Sequence, residues 1–128
     1  MYKDFDGWNN VKQDIHTNGE PKFYCAREIW WCSLGVNIGF EQEGDGNNGA
    51  RPILIMKGFS KYVCLVIPLT TSTKINEYHF SLGQVDGKIA FAIISQIRLI
   101  DTRRLINRIH IIDKNLFYEI RKAVKNLL

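Results

Sequence analysis

Residues 41–74 read E-Q-E-G-D-G-N-N-G-A-R-P-I-L-I-M-K-G-F-S-K-Y-V-C-L-V-I-P-L-T-T-S-T-K. Two apolar stretches, Pro52–Met56 and Tyr62–Leu69, flank a turn around Lys57–Ser60, and their content of Ile, Val and Tyr predicts two inner strands. If the two strands pair antiparallel, the residues at their outer ends become neighbours. Arg51 stands where a Gly/Asn-rich loop enters the first strand, and Thr70 stands where the second runs out. Pairing therefore brings an arginine and a threonine to one edge of a sheet, and that edge is the candidate active site.

Upstream, Phe5, Trp8, Val11 and Ile15 recur at helical spacing behind Asp4, an available N-cap, and Asn18-Gly19 followed by Pro21 closes the segment. This predicts a short N-terminal helix over residues 1–20. Glu28–Leu34 is rich in β-favouring residues and predicts the first strand, with Trp30 and Trp31 on opposite faces, one in the core and the other in a groove or a dimer interface. The loop Asn37–Ala50 carries four glycines. A loop of that length within a small domain is more often functional than idle, and this composition predicts mobility.

Downstream, Glu77–Leu82 loosely alternates and predicts a strand, Asp86-Gly87 signals a turn, and Lys88–Ile94 predicts a central, almost wholly apolar strand. After Ser95-Gln96-Ile97-Arg98 and the short apolar Leu99-Ile100, Asp101–Arg104 predicts a helical turn and Ile106–Ile112 a further strand. Asp113 can cap a terminal amphipathic helix whose apolar face is Leu116, Ile120, Ala123, Val124 and Leu127. About six short strands and two flanking helices make an α+β domain with a small barrel-like antiparallel sheet.

The 128 residues, 45% hydrophobic and 23% charged, suffice for one domain with its own core. No stretch approaches the roughly 18 to 20 apolar residues of a membrane span. Residues 1–10 are acidic and aromatic rather than basic and then apolar, so no secretory signal or membrane association is expected and the predicted location is the cytoplasm. Cys25, Cys32 and Cys64 are odd in number and lack C-x-x-C spacing, so they are expected to be small buried hydrophobes rather than a disulfide framework. His16, His79 and His110 show no ligand spacing, so no metal or other cofactor is expected. Residues 1–50 carry four Lys/Arg against eight Asp/Glu, whereas residues 51–128 carry thirteen against five. Positive charge concentrated in the later part suits a polyanion binder, although solvated helix faces have the same composition.

Five blocks in order, R-E-I-W-W-C-S-L-G, F-E-Q-E-G, R-P-I-L-I, C-L-V-I-P-L-T-T-S-T-K and S-Q-I-R-L-I-D-T-R-R-L, resemble the MazF/PemK/Kid family of toxins from toxin–antitoxin modules over residues 26–128. The resemblance implies an SH3-like barrel of the CcdB/MazF kind and homodimerisation. It also implies metal-independent cleavage of single-stranded RNA to 2′,3′-cyclic phosphate and 5′-hydroxyl ends, blocked by a cognate antitoxin with an acidic disordered segment. The family's catalytic arginine and threonine match Arg51 and Thr70. Its RNA-groove residues match Glu41 and Gln42, the segment containing Thr71 and Lys74, and the Ser95, Gln96 and Arg98 segment. Two departures stand out: eight residues separate Gln42 from Arg51, more than in most members, and Ser95 and Phe40 stand where some members carry an acidic residue and a histidine.

The chemistry can be weighed apart from the family. Attack by a ribose 2′-OH on its own phosphate needs alignment, proton removal and stabilised phosphoryl charge. Arg51 offers a fixed fork of donors and Thr70 a hydroxyl. A guanidinium with a pKa above about 12 is a poor base, so positioning and electrostatics are expected to carry the rate. The alternative is a non-catalytic inhibitor or nucleic-acid-binding module on the same fold, as in CcdB-type gyrase poisons; such a binder has no need for both Arg51 and Thr70.

Overall fold

The computed structural model describes residues 22–34 and 49–128. The expected N-terminal helix, Glu41, Gln42 and nearly all of the Asn37–Ala50 loop lie outside the described residues.

The strands are β1 (Glu28–Ser33), β2 (Ala50–Gly58), β3 (Val63–Thr70), β4 (His79–Val85), β5 (Lys88–Ile93), β6 (Arg98–Asp101) and β7 (Leu105–Ile111), followed by the helix α1 (Lys114–Leu127). All pairings are antiparallel, in the order β4-β5-β3-β2-β1-β7, with β6 also on β3. The outer edge of β3 is divided: Val63–Val66 pair with β6, and Leu69 and Thr70 pair with β5. One strand thereby feeds two sheet segments. Bulges at Met56 on β2, at Leu82 on β4 and at two places where β7 meets β1 add local bend and twist, and the sheet curls into a half-barrel.

The two sides of β2 and β3 are both covered, which explains their unbroken apolar runs. One face packs Trp30, Cys32, Ile53, Ile55, Cys64 and Val66 with Tyr24, Ile100 and Leu105. The other packs Ile29, Leu54, Met56, Ile67 and Leu69 beneath the β4–β5 hairpin and the Phe117 and Ile120 side chains of α1. Asp113 caps α1, its Oδ1 accepting the Leu116 N–H at 2.7 Å, as its position before the periodic segment predicts. Asp101 caps the 3-10 turn Thr102–Arg104 in the same way.

Several expectations are corrected. Among the described residues there are seven strands rather than about six. The Lys88–Ile93 strand is not central: it joins β3 at two residue pairs, because β6 occupies the rest of that edge. The strand expected from Glu77 begins at His79, since the Asn76 side chain accepts the Tyr78 N–H at 2.8 Å and holds a turn. Phe117, absent from the expected apolar face, is one of the two buried residues of α1, and Leu127 is only half-buried. Cys32 and Cys64 are buried as expected, but Cys25 is exposed, because it precedes β1 outside the sheet. Among the described residues no helix is long and apolar enough to cross a membrane, and no group of three or more His, Cys, Asp or Glu side chains gathers.

Candidate active site at the open end of the β2–β3 hairpin

The site is set by register. Ile53 pairs with Pro68, and continuing that register outward sets Arg51 opposite Thr70. Arg51 also faces Cys32 on β1, and Thr70 faces Phe91 on β5. A single row across the sheet therefore holds the two residues that the sequence places apart by nineteen positions.

Arg51 is 3% exposed and Thr70 6%. A buried guanidinium is costly unless its donors are engaged, and Nη2 of Arg51 donates to the Leu69 carbonyl at 2.9 Å, tying the charge to the end of β3. The Thr70 hydroxyl oxygen accepts the Ser72 N–H at 3.1 Å, and the Ser72 hydroxyl oxygen accepts the Lys74 N–H at 3.1 Å. The T-T-S-T-K segment is thus two successive hydroxyl-stabilised turns. They fix the Thr70 side chain at the strand end and keep the chain from continuing as a strand.

Arg51 and Thr70 border a cavity of about 390 Å³. It is also lined by Leu69, Thr71 and Ser72, by Trp31, Pro52 and Ile109, and by Val85, Asp86, Lys88 and Ala90 of the β4–β5 hairpin. Trp30 is buried and Trp31, half-buried, lines this cavity, so the pair divides between core and groove as alternation requires. Asp86 and Gly87 both have positive φ (53° and 84°), the pattern of a type I′ turn, which allows the two-residue connection between Val85 and Lys88.

Of the residues expected in an RNA groove, Thr71 lines this cavity and Lys74, Ser95, Gln96 and Arg98 do not. Lys74 is exposed beyond the turn. Ser95 and Gln96 sit in the 3-10 turn after β5, and Arg98 opens β6 opposite Val66, four positions along β3 from Thr70. Arg104, in the segment expected only as a helical turn, donates from Nη1 to the Ser33 carbonyl at 3.1 Å. The hairpin residues Asp86 and Lys88 carried only a turn signal, because what they face depends on the non-local docking of β5 on β3.

The cavity lining sets Arg51 and Lys88 against one carboxylate, Asp86. Burial pushes the Cys32 thiol up to about 12, with the Cys64 thiol adding to it, while the guanidinium groups of Arg104, Arg98 and Arg51 act in the opposite sense. The thiol therefore stays protonated and is no nucleophile. Arg103 is engaged otherwise: its Nε donates to Asp101 Oδ1 at 2.9 Å and its Nη2 to Oδ2. Burial works to raise Asp101, and the hydrogen bonds and charge of Arg103 overcome it, so its carboxyl is held below the usual range.

A curled antiparallel half-barrel with a C-terminal helix and a buried Arg/Thr pair at a strand-end cavity is the architecture to be placed. Residues 26–128 match the family of PemK-like, MazF-like toxins of type II toxin–antitoxin systems, and the chain belongs to that family. Solved structures with the same fold include MazF from Deinococcus radiodurans, at 19% identity and a TM-score of 0.67 over 83% of this chain and 96% of that one. A second is the toxin MazF-mt6 of Mycobacterium tuberculosis, at 16% identity and a TM-score of 0.60 over 78% and 94%. An endoribonuclease from a mycobacterial species, solved in complex with its cognate antitoxin, is similar at 15% identity and a TM-score of 0.61 over 81% and 93%. No curated protein matches by sequence.

Proposed function

We propose that this chain is a toxin that cleaves single-stranded RNA without a metal ion, with Arg51 and Thr70 at the reacting phosphate. The observation that carries the reading is the opposition of these two residues on paired strands at one cavity, in a chain of the PemK/MazF family. The 2′-oxygen attacks the adjacent phosphorus, the bond from phosphorus to the 5′-oxygen breaks, and the products are a 2′,3′-cyclic phosphate and a 5′-hydroxyl. The proton leaves the 2′-oxygen to solvent and another reaches the departing 5′-oxygen. The guanidinium of Arg51, held at low exposure, stabilises charge on the phosphoryl oxygens far more than it would in water. Thr70, its oxygen already accepting an N–H, donates its hydroxyl proton to a phosphate oxygen.

The same charge predicts the inhibitor: an antitoxin segment rich in Asp and Glu would compete with RNA in the groove, and its inhibition would weaken as salt rises. We further propose a homodimer that joins two such grooves. The decisive experiment incubates purified protein with a long single-stranded RNA in EDTA and maps the new ends. Cleavage at a restricted set of sites, with 5′-hydroxyl ends, is expected. Intact RNA under all conditions, from a folded protein that still binds it, would establish the non-catalytic alternative.

A further inference from the structure

Several residues lining the cavity that holds Arg51 and Thr70 have no role in the phosphate chemistry. They include the half-buried Trp31 with Pro52 and Ile109, and the exposed Asp86 and Lys88 of the β4–β5 turn. The volume of about 390 Å³ falls in the range of small-ligand sites and exceeds what one phosphate requires. Asp86 and Lys88, two residues apart in the turn, are both exposed. An aromatic wall beside a phosphate site, with one acceptor-only and one donor-only side chain at its edge, has the chemistry of a nucleobase pocket.

We propose that the cavity also receives the base next to the cleaved bond, stacked on Trp31 and read by Asp86 and Lys88, and that the base it prefers is guanine. The Watson–Crick edge of guanine presents O6 as acceptor beside the N1 and N2 donors. Lys88 matches the first and the Asp86 carboxylate the other two; uracil offers a single donor between two acceptors, and adenine no second donor on that edge. The aromatic wall supplies affinity without sequence preference, and the charged rim supplies the choice. This inference rests on the RNA-cleavage reading and adds the specificity of its site.

The test uses the full chain, a random-sequence single-stranded RNA pool, and non-cleavable 2′-O-methyl oligonucleotides that differ at one position as guanine, inosine, adenine or uracil. Wild-type protein should cut beside guanine and bind the guanine oligonucleotide about tenfold more tightly than the uracil one, with inosine between because it lacks the N2 amine. Asp86→Asn should erase most of that preference, and Trp31→Ala should weaken all the oligonucleotides by about tenfold while Trp31→Phe restores most of it. Cleavage without a guanine preference, or a preference that Asp86→Asn leaves intact, overturns the pocket and leaves the nuclease reading in place. An Asp86→Asn protein that keeps the preference but loses rate with an altered pH profile assigns Asp86 to proton transfer instead. Dissociation of a dimer by Trp31→Ala with unchanged RNA affinity assigns the wall to a second copy of the chain. Guanine-selective binding with no cleavage by wild-type protein sustains the pocket and overturns the nuclease.

Discussion

The two ends of the β2–β3 hairpin are made from the same two strands and come to opposite uses. At the turn end the polar groups are consumed by the chain itself: the Tyr24 hydroxyl donates to the Ser60 carbonyl at 2.8 Å, Thr102 donates from its hydroxyl to the Lys61 carbonyl and from its N–H to the Tyr62 carbonyl, and the Ser60 hydroxyl oxygen accepts the Tyr62 and Val63 N–H groups. At the open end a buried guanidinium and a buried hydroxyl border a cavity. Thr102, fully buried, and Thr70, 6% exposed, are the same residue in these two settings. A polar side chain in a sheet is structural where its surroundings close over it and chemical where they leave room for a substrate. Burial alone does not distinguish the two.

The contrast can be broken by mutation. The largest effect is expected at the open end: Arg51→Ala should reduce RNA cleavage by about a hundredfold or more, the scale seen on removing a donor aimed at developing charge, and Thr70→Ala by at least about tenfold. Unfolding midpoints should change little. A folded Arg51→Ala protein cleaving at the parental rate would show the site assignment to be wrong.

At the turn end the effects should invert, with stability falling and cleavage by the folded protein preserved. A Cβ at Gly58 would lie 2.4 Å from the Tyr24 hydroxyl oxygen and 2.8 Å from its ring, and the ring is buried. Gly58→Ala should therefore cost about 1 to 3 kcal/mol in denaturant unfolding. A cost near zero would mean that Tyr24 can move aside without loss.

Smaller still, Tyr24→Phe, which removes the bond to Ser60, and Asp113→Ala, which removes the cap of α1, should each cost about 1 kcal/mol. Either substitution slowing cleavage at temperatures where the protein is fully folded would erase the division between the two ends.

The least effect concerns pH. Asp101 titrates below its unfolded value, so the stability it contributes is complete above the ordinary carboxylate pKa and is lost as pH falls through its folded pKa. Asp101→Asn should lower stability slightly at pH 7 and flatten the decline on the acid side. An unchanged acid slope in urea titrations would sharpen the comparison differently, by placing the Arg103 pair outside the groups that hold the turn end together.

Much of this was legible because it is local. The apolar runs of β2 and β3, the Asp86-Gly87 turn, the helical turn at Asp101–Arg104, the Asp113 cap and the alternation that separates Trp30 from Trp31 follow from backbone periodicity and short-range hydrogen bonds. The placement of Arg51 and Thr70 at one edge also followed from antiparallel pairing, but their direct opposition depends on the bulge at Met56, which shifts the register by one residue. What only the tertiary structure decided depends on strands distant in sequence. The division of the β3 edge between β5 and β6 removed β5 from the centre of the sheet and kept Gln96 and Arg98 away from the cavity. The same docking brought Asp86 and Lys88 to the cavity that Trp31 lines, and the β7 register brought Arg104 to the Ser33 carbonyl. Phe117 rather than Leu127 became the buried residue of α1 because the angle at which a helix meets a curled sheet is set by the packing of both, and neither sequence segment contains that angle.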